Sequence, residues 1–307
     1  MKVLVTGASG FVGRHMLNEL ASAGHETVAL IQNPAPDIAD SVVCDIMDPR
    51  ALADAVKSAN PDACVHLAGI AFVPRGWTDP NLVQSVNVIG TVNLLEVLRT
   101  HAPKARLVFA STSQIYGNPA QAAPLTEDTP LQPQNPYAVS KMAADLTVLL
   151  YARRYQATFM SARPANHIGP QQSTDFVVPA FAAQLAAIAA GKCDPCMKVG
   201  NLDSEREFTD VRDVCLAYRL VLEKGTPGRA YNIAAGRCVK IRTILDELCK
   251  LTGVVPKLDT DPSLYRPTDV QARLDATRLR TEIGWQPRFT LEQTLKDVLA
   301  GFWTAAA

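Results

Sequence analysis

Apolar and polar positions alternate in blocks along the first half of the chain, a short apolar run followed each time by a longer amphipathic stretch. Lys2–Thr6 reads as a buried strand, Phe11–Ala23 as a helix stopped at Gly24, and Thr27–Ile31 as a second strand. A third strand precedes Cys44, and Pro49–Ser58 is the next helix. Ala63–Leu67, Leu107–Ala110 and Phe159–Ala162 are further apolar strands, separated by long helices over Leu82–Thr100 and Tyr137–Tyr155. Strands alternating with helices predict a parallel sheet covered on both faces and joined by right-handed crossovers. The fold class is α/β, a doubly wound parallel sheet.

After Arg163 the pattern loosens. Pro164, Gly169 and Pro170 interrupt it, an Ala-rich helix follows over Val178–Ala190, and Phe208–Lys224 reads as a strand running into a helix. Arg229–Ile233 is β-rich, and both of these segments are expected to return and complete the sheet. The tail from Lys240 to Ala307 alternates helices and turns and is expected to cap a substrate. The domains implied are residues 1–163 with about 207–236, and about 164–206 with 237–307 as a smaller C-terminal α/β unit that binds the substrate. Gly117–Pro136, with five prolines, is read as an ordered loop beside the active site. The two long helices are apolar around more than one face (Val88, Val92 and Leu95; Ala143, Val148 and Leu149), which points to a homodimer.

Composition narrows the class without naming it. The chain of 307 residues is 48% hydrophobic, with 30 basic and 30 acidic side chains. That balance gives no general attraction to nucleic acid or to anionic membranes. Val177–Ala190 is too short to span a bilayer, no signal peptide is visible ahead of Val3, and the cytoplasm is the expected compartment. Of seven cysteines only Cys193 and Cys196 have a metal-like spacing, and with no second pair or histidine they do not make a metal site.

Two segments carry chemistry. Gly7-Ala8-Ser9-Gly10-Phe11-Val12-Gly13 links a strand to a helix, the setting in which a glycine loop cradles a dinucleotide pyrophosphate. Gly7 permits the turn, Gly10 the approach of phosphates, and Gly13 close helix packing. Tyr137 and Lys141 share one helix face, and an ammonium beside a phenol is expected to lower its pKa and make it an acid/base. Thr112, after the strand ending at Ala110, supplies a hydroxyl at the ligand crevice. A glycine loop with a tyrosine–lysine pair predicts a Rossmann-type oxidoreductase acting on an alcohol or ketone. Gln32-Asn33 stands where an acid would hold an adenosine ribose, so NADP(H) or NAD(H) is expected, NADPH favoured, with Arg14 able to serve a 2′-phosphate. Asp45 and Ile46 follow the third strand where an acid can meet adenine. Leu67, Ala68 and Gly69 end the fourth, where small residues let the cofactor pass, and His66 is taken as structural.

These motifs, with Ser111–Gly117, Arg163–Pro170 and Arg206–Asp213, resemble in order the extended short-chain dehydrogenase/reductases that modify nucleotide-sugars. Within them the chain looks most like GDP-4-keto-6-deoxy-D-mannose reductases, which make GDP-D-rhamnose. The resemblance implies Tyr137 as proton donor, Lys141 on the nicotinamide ribose and Thr112 orienting the sugar oxygen. It places His167 near the cofactor and Ser113, Gln114 and Asn166 at the substrate. Arg206 and Arg266 would meet the pyrophosphate and Asp269 the nucleotide. Val199, Asn201 and Leu202 would meet a guanine, with Gly200 opening the backbone. It implies a GDP-sugar substrate and pairing of the long helices into a four-helix interface. Ala165 departs from the phenylalanine common in relatives.

Dehydratases of this family carry glutamate at the position of Gln114, and an amide cannot remove a proton. GDP-fucose synthases carry cysteine there and histidine where this chain has Gln171. Simple reduction of the C4 ketone of a 4-keto-6-deoxy sugar remains, with a nucleotide-sugar 4-epimerase as the alternative. A dinucleotide-binding regulator that does not turn over is the reading from another class, and an intact tyrosine and lysine speak against it.

Overall fold

The computed structural model describes residues 1–38, 41–118, 124–264 and 273–306. Its strands are β1 (Lys2–Thr6), β2 (Glu26–Ile31), β3 (Val42–Val43), β4 (Ala63–His66), β5 (Arg106–Ala110) and β6 (Phe159–Pro164). They continue with β7 (Asn166–Ile168), β8 (Cys196–Val199), β9 (Glu205–Asp210), β10 (Ala230–Ile233), β11 (Cys238–Lys240) and β12 (Lys257–Thr260). The helices are α1 (Phe11–Ser22), α2 (Pro49–Ala59), α3 (Val73–Thr78), α4 (Pro80–Gln84) and α5 (Gly90–His101). After them come α6 (Pro136–Tyr155), α7 (Val177–Ala189), α8 (Val211–Lys224), α9 (Ile241–Thr252) and α10 (Leu291–Ala306).

Seven strands make one parallel sheet in the order β10-β6-β5-β4-β1-β2-β3. The chain winds outward from β1 to β3, then restarts beside β1 as β4 and winds outward the other way. That reversal opens a crevice at the carboxyl ends of β1 and β4. β4 is buried at every position, as a strand covered on both faces must be. Leu4, Cys64, Leu107 and Phe159 pack with Leu52 and Val56 of α2, Leu94 and Leu98 of α5, and Val148 of α6.

The chain divides into two compact units. The first is Met1–Ala165, Val214–Ile233 and Leu274–Trp285; the second is Asn166–Asp213, Ala234–Arg273 and Gln286–Ala307. The second has a core of Val178, Phe181 and Leu185 from α7, Ile244 and Leu248 from α9, and Leu295 and Val298 from α10.

Three expectations need correction. β9 does not complete the central sheet; it lies between β11 and β7 in a three-stranded sheet of the second unit. Its Glu205 and Arg206 keep an exposure that a doubly covered strand lacks, whereas β10 is buried throughout and joins β6. The tail is not one cap, because Leu274–Trp285 belongs to the first unit, with Leu279, Ile283 and Trp285 buried. The single helix expected over Leu82–Thr100 is interrupted by a wide π turn, Ser85–Ile89. Asn87, at its centre, sends its side chain out to Ile70 and Ser140, and Thr91 Oγ1 donates back to Asn87 O at 2.7 Å. Such turns accommodate an inserted residue whose side chain has work elsewhere.

Candidate active site

The glycine loop is built on close approach. Gly7 has φ +68°, and a Cβ there would stand 2.7 Å from Ala68 N, so only glycine lets this turn lie against the end of β4. A Cβ at Gly13 would stand 2.3 Å from Gly7 O, which sets α1 directly on the turn. At Gly10, the N-cap of α1, no side chain caps the helix, and within 4 Å a Cβ would meet only Gly7 O, at 3.3 Å. This helix end, with its backbone N–H groups and positive dipole, fits a pyrophosphate.

Around it, Arg14 donates from Nε to Ser9 O at 3.1 Å and pairs with Asp37. Gln32, just past β2, donates to Asp45 Oδ2 at 3.1 Å, and Asp45 is exposed. The Ile46 side chain is buried under Gly90, so only its backbone can meet a ligand. Leu67 and Ala68 are half-buried and Gly69 is exposed, and Ala68 N donates to Thr6 Oγ1 at 3.2 Å. His66 is fully buried between Thr6 Oγ1 (2.7 Å) and Thr91 Oγ1 (3.0 Å). Burial, aided by Lys141, brings it down to about 3, so it is neutral and structural.

Thr112, Tyr137 and Lys141 come together at the carboxyl end of β5. Thr112 Oγ1 caps the Ser113–Tyr116 turn by accepting from Gln114 N at 3.3 Å, and the Thr112 side chain lies close enough to Tyr137 to favour its phenolate. Lys141 Nζ lies 4.4 Å from the centre of the Phe109 ring. The expected depression of the tyrosine is overturned: burial pushes Tyr137 up to about 12, against the smaller pull of Thr112. A donor of protons must begin protonated, so this suits reduction. Lys141 is the perturbed base instead, brought down to about 8 by burial against the upward pull of Asp145. We expect kcat/KM to fall on the alkaline side with an apparent pKa near 8, as Lys141 sheds its charge. A profile flat to about pH 10, the ordinary lysine range, would remove Lys141 from the reaction.

Four residues of this site escape a reading by motif. Asn87 Oδ1 accepts from Ile70 N at 2.8 Å and its Nδ2 donates to Ser140 Oγ at 2.9 Å, while Ser140 Oγ donates to Tyr137 O at 2.7 Å. Asn135 caps α6, with its Oδ1 accepting from Ala138 N at 2.8 Å. Asp145, fully buried one turn beyond Lys141, pairs with Arg163 at 2.7 Å. A polar residue inside a helical apolar pattern was the available signal for Asn87 and Asp145.

Ser113 and Gln114 lie in the short Ser113–Tyr116 turn of the first unit, and the predicted residues from Asn166 to Arg206 belong to the second. Asn166 Nδ2 donates to Glu207 O at 3.4 Å, His167 O accepts from Gln172 Nε2 at 3.1 Å, and Arg206 lies in β9 opposite Val239. Val199 and Leu202 are in that unit's core, with their side chains packed among its apolar residues. Gly200 does not open space: a Cβ there would stand 2.4 Å from Leu264 O, so the chain itself fills it. Asn201 Oδ1 accepts from Asp203 N at 3.0 Å. Arg266 and Asp269 lie outside the described residues.

The pattern of the family described as GDP-mannose 4,6 dehydratase matches residues 4–298. A GDP-6-deoxy-D-mannose reductase of Pseudomonas aeruginosa is 36% identical over 97% of this chain and 96% of its own. A UDP-glucose 4-epimerase of Mycolicibacterium smegmatis is 30% identical over 98% of each. Among solved structures, that of RMD from Pseudomonas aeruginosa complexed with NADPH has a TM-score of 0.89 at 34% identity, covering 99% of both chains. A strand–glycine loop–helix opening a seven-stranded parallel sheet, the Thr112–Tyr137–Lys141 site and these likenesses agree: the chain belongs to the GDP-mannose 4,6-dehydratase family of the extended short-chain dehydrogenase/reductases.

Proposed function

We propose that the protein reduces the C4 ketone of a nucleotide-linked 4-keto-6-deoxy sugar with NAD(P)H, and that GDP-4-keto-6-deoxy-D-mannose, giving GDP-D-rhamnose, is its substrate. One observation carries the reading: the Thr112–Tyr137 pair stands intact beside Gln114, an amide where elimination would need a carboxylate. The likeness to the Pseudomonas reductase supports it.

In this reading Gly7, Gly10 and Gly13 admit the dinucleotide to the end of α1, with Arg14 and Asp45 at its adenosine end. When bound, the reduced nicotinamide supplies the hydride. Tyr137, held protonated by burial, gives its proton to the ketone oxygen, and Thr112 orients that oxygen and the phenol. Lys141, one turn along the same face, favours the phenolate left behind. NADPH is the preferred cofactor, because Gln32 and Asn33, directly after β2, carry no charge to repel a 2′-phosphate. Asn166, Asn201 and Arg206 are assigned to the nucleotide-sugar.

A panel of nucleotide keto-sugars with NADPH tests this: the GDP-linked 4-keto-6-deoxymannose is expected to be reduced, and GDP to bind far more tightly than UDP. UDP binding as tightly as GDP would exclude the guanine assignment. Tightly retained NAD with turnover of a UDP-hexose and no added cofactor would give the epimerase instead.

We further propose a homodimer through the long helices. Of the residues first singled out, Leu95, Val148 and Leu149 are core. The apolar surplus lies at Leu82 and Ile89 and, along α6, at Val139, Leu146 and Leu150, all more than a third exposed. The α6 positions are seven and four apart and line one face, which a second copy would cover in a four-helix interface. A dimeric mass in sedimentation at micromolar concentration is expected, and Leu146→Glu with Leu150→Glu should halve it. A monomer without those changes would end the proposal. No described helix is long and apolar enough to cross a membrane, and we place the enzyme in the cytoplasm.

A further inference from the structure

The amide of Gln114 is not free to turn. Asn135 Oδ1 accepts the Ala138 N–H at 2.8 Å, and a backbone N–H can only donate, so this bond fixes which end of the Asn135 amide is oxygen. Its other end, Nδ2, donates to Gln114 Oε1 at 3.1 Å. Gln114 must therefore present its oxygen to Asn135, and no described residue accepts from its Nε2. The residue is half-buried. Its origin places it beside the chemistry: Gln114 N donates to Thr112 Oγ1 at 3.3 Å, and Thr112 lies close enough to Tyr137 to act on its phenol. One short turn thus carries both a group that reaches the ketone oxygen and the amide two residues on.

We propose that Asn135 is a positioning residue that locks Gln114 with its amide N–H groups toward the keto-sugar, making Gln114 a specificity-determining donor to a sugar oxygen beside the reacting carbonyl. The inference rests on the keto-sugar reading above. Its chemical point is fidelity. Hydrogens on carbons flanking a ketone are acidic, and a base beside them would remove one to give an enolate that can be reprotonated on either face. An amide binds the oxygen and takes no proton, so the flanking centres keep their configuration while Tyr137 and the hydride complete the reduction. A carboxylate at this position would accept from Asn135 through one oxygen and leave the other bare.

The test uses the full chain, GDP-4-keto-6-deoxy-D-mannose and D2O. With oxidised cofactor present, so that no reduction intervenes, Gln114→Glu is expected to exchange a sugar hydrogen beside the ketone for deuterium, seen by mass spectrometry and NMR. The unchanged enzyme is expected to match the enzyme-free control. Asn135→Asp is the second arm. Aspartate still caps α6, but it can only accept, so Gln114 must turn its Nε2 inward and show oxygen to the sugar. KM for the keto-sugar is expected to rise roughly tenfold, the scale of a misplaced hydrogen bond. NADPH Kd by fluorescence and Tm are expected to stay as they were, which a merely structural role for Asn135 would not allow. Absence of exchange in Gln114→Glu, or an unmoved KM in Asn135→Asp, overturns the proposal. An unchanged enzyme that binds NADPH yet reduces no nucleotide keto-sugar refutes the functional reading itself, and the inference with it.

Discussion

Tyr137→Phe is expected to lower kcat by roughly 10²–10⁴-fold, the usual contribution of a positioned proton donor. The change removes one oxygen and keeps the ring, whose residue is only 7% exposed, so helix α6 and its packing are retained. Losing one hydroxyl changes stability by about 1 kcal/mol at most, which a chain of this size withstands. The glycine loop is untouched, so NADPH should bind with near-unchanged Kd by fluorescence titration. The burial that pushes Tyr137 up to about 12 is why the loss is so large: this is the group that holds the proton at neutral pH, and His66, fully buried and brought down to about 3, cannot stand in. A kcat close to that of the unchanged enzyme would sink the mechanism, and a lost NADPH affinity would show that the phenol serves binding rather than proton transfer.

What could be read from the residues divides along physical lines. Gly7 and Gly13 were legible because close backbone approach admits almost nothing else: a Cβ there would stand 2.7 and 2.3 Å from backbone atoms. Tyr137 and Lys141 were legible as a pair because helical spacing alone puts them on one face. Their protonation was not, since it depends on burial by residues distant in sequence, and desolvation of Tyr137 outweighed the opposing pull of Thr112. Ile46, Val199 and Leu202 fell in segments suited to ligands, yet apolar side chains there had a competing use in the two cores. The π turn at Asn87 was hidden because its cause is a partner on Ile70 and another on Ser140, not a local helix breaker. The tie between Gln114 and Asn135 is of the same kind: two amides 21 residues apart in sequence, joined only by the fold.

Asp145→Ala is expected to destabilise the protein by about 3–5 kcal/mol, the cost of leaving one partner of a buried ion pair alone. Asp145 is wholly buried, and its carboxylate accepts from Ser161 Oγ and from Arg163 Nε at 3.2 Å and Nη2 at 2.7 Å. Arg163 is 3% exposed, with Nη1 shared between Tyr116 Oη and Glu127 O, both at 3.0 Å. Those neutral acceptors cannot replace a counter-charge, and the guanidinium cannot shed its proton. For a chain of this size the loss corresponds to a drop of roughly 10 °C in Tm. Asp145→Leu with Arg163→Met separates the two roles of the pair. Apolar side chains of similar size remove the stranded charge, so most of the lost stability should return. Lys141 would still be without the carboxylate that raises its pKa against burial. Its charged form is then less favoured, and the alkaline limb of kcat/KM should move below its place near 8 in the unchanged enzyme. Recovered Tm with a shifted limb is the expected pattern. A Tm within about a degree of the unchanged protein in Asp145→Ala would deny the ion pair its structural weight, and an unmoved limb in the double variant would deny Asp145 its hold on Lys141.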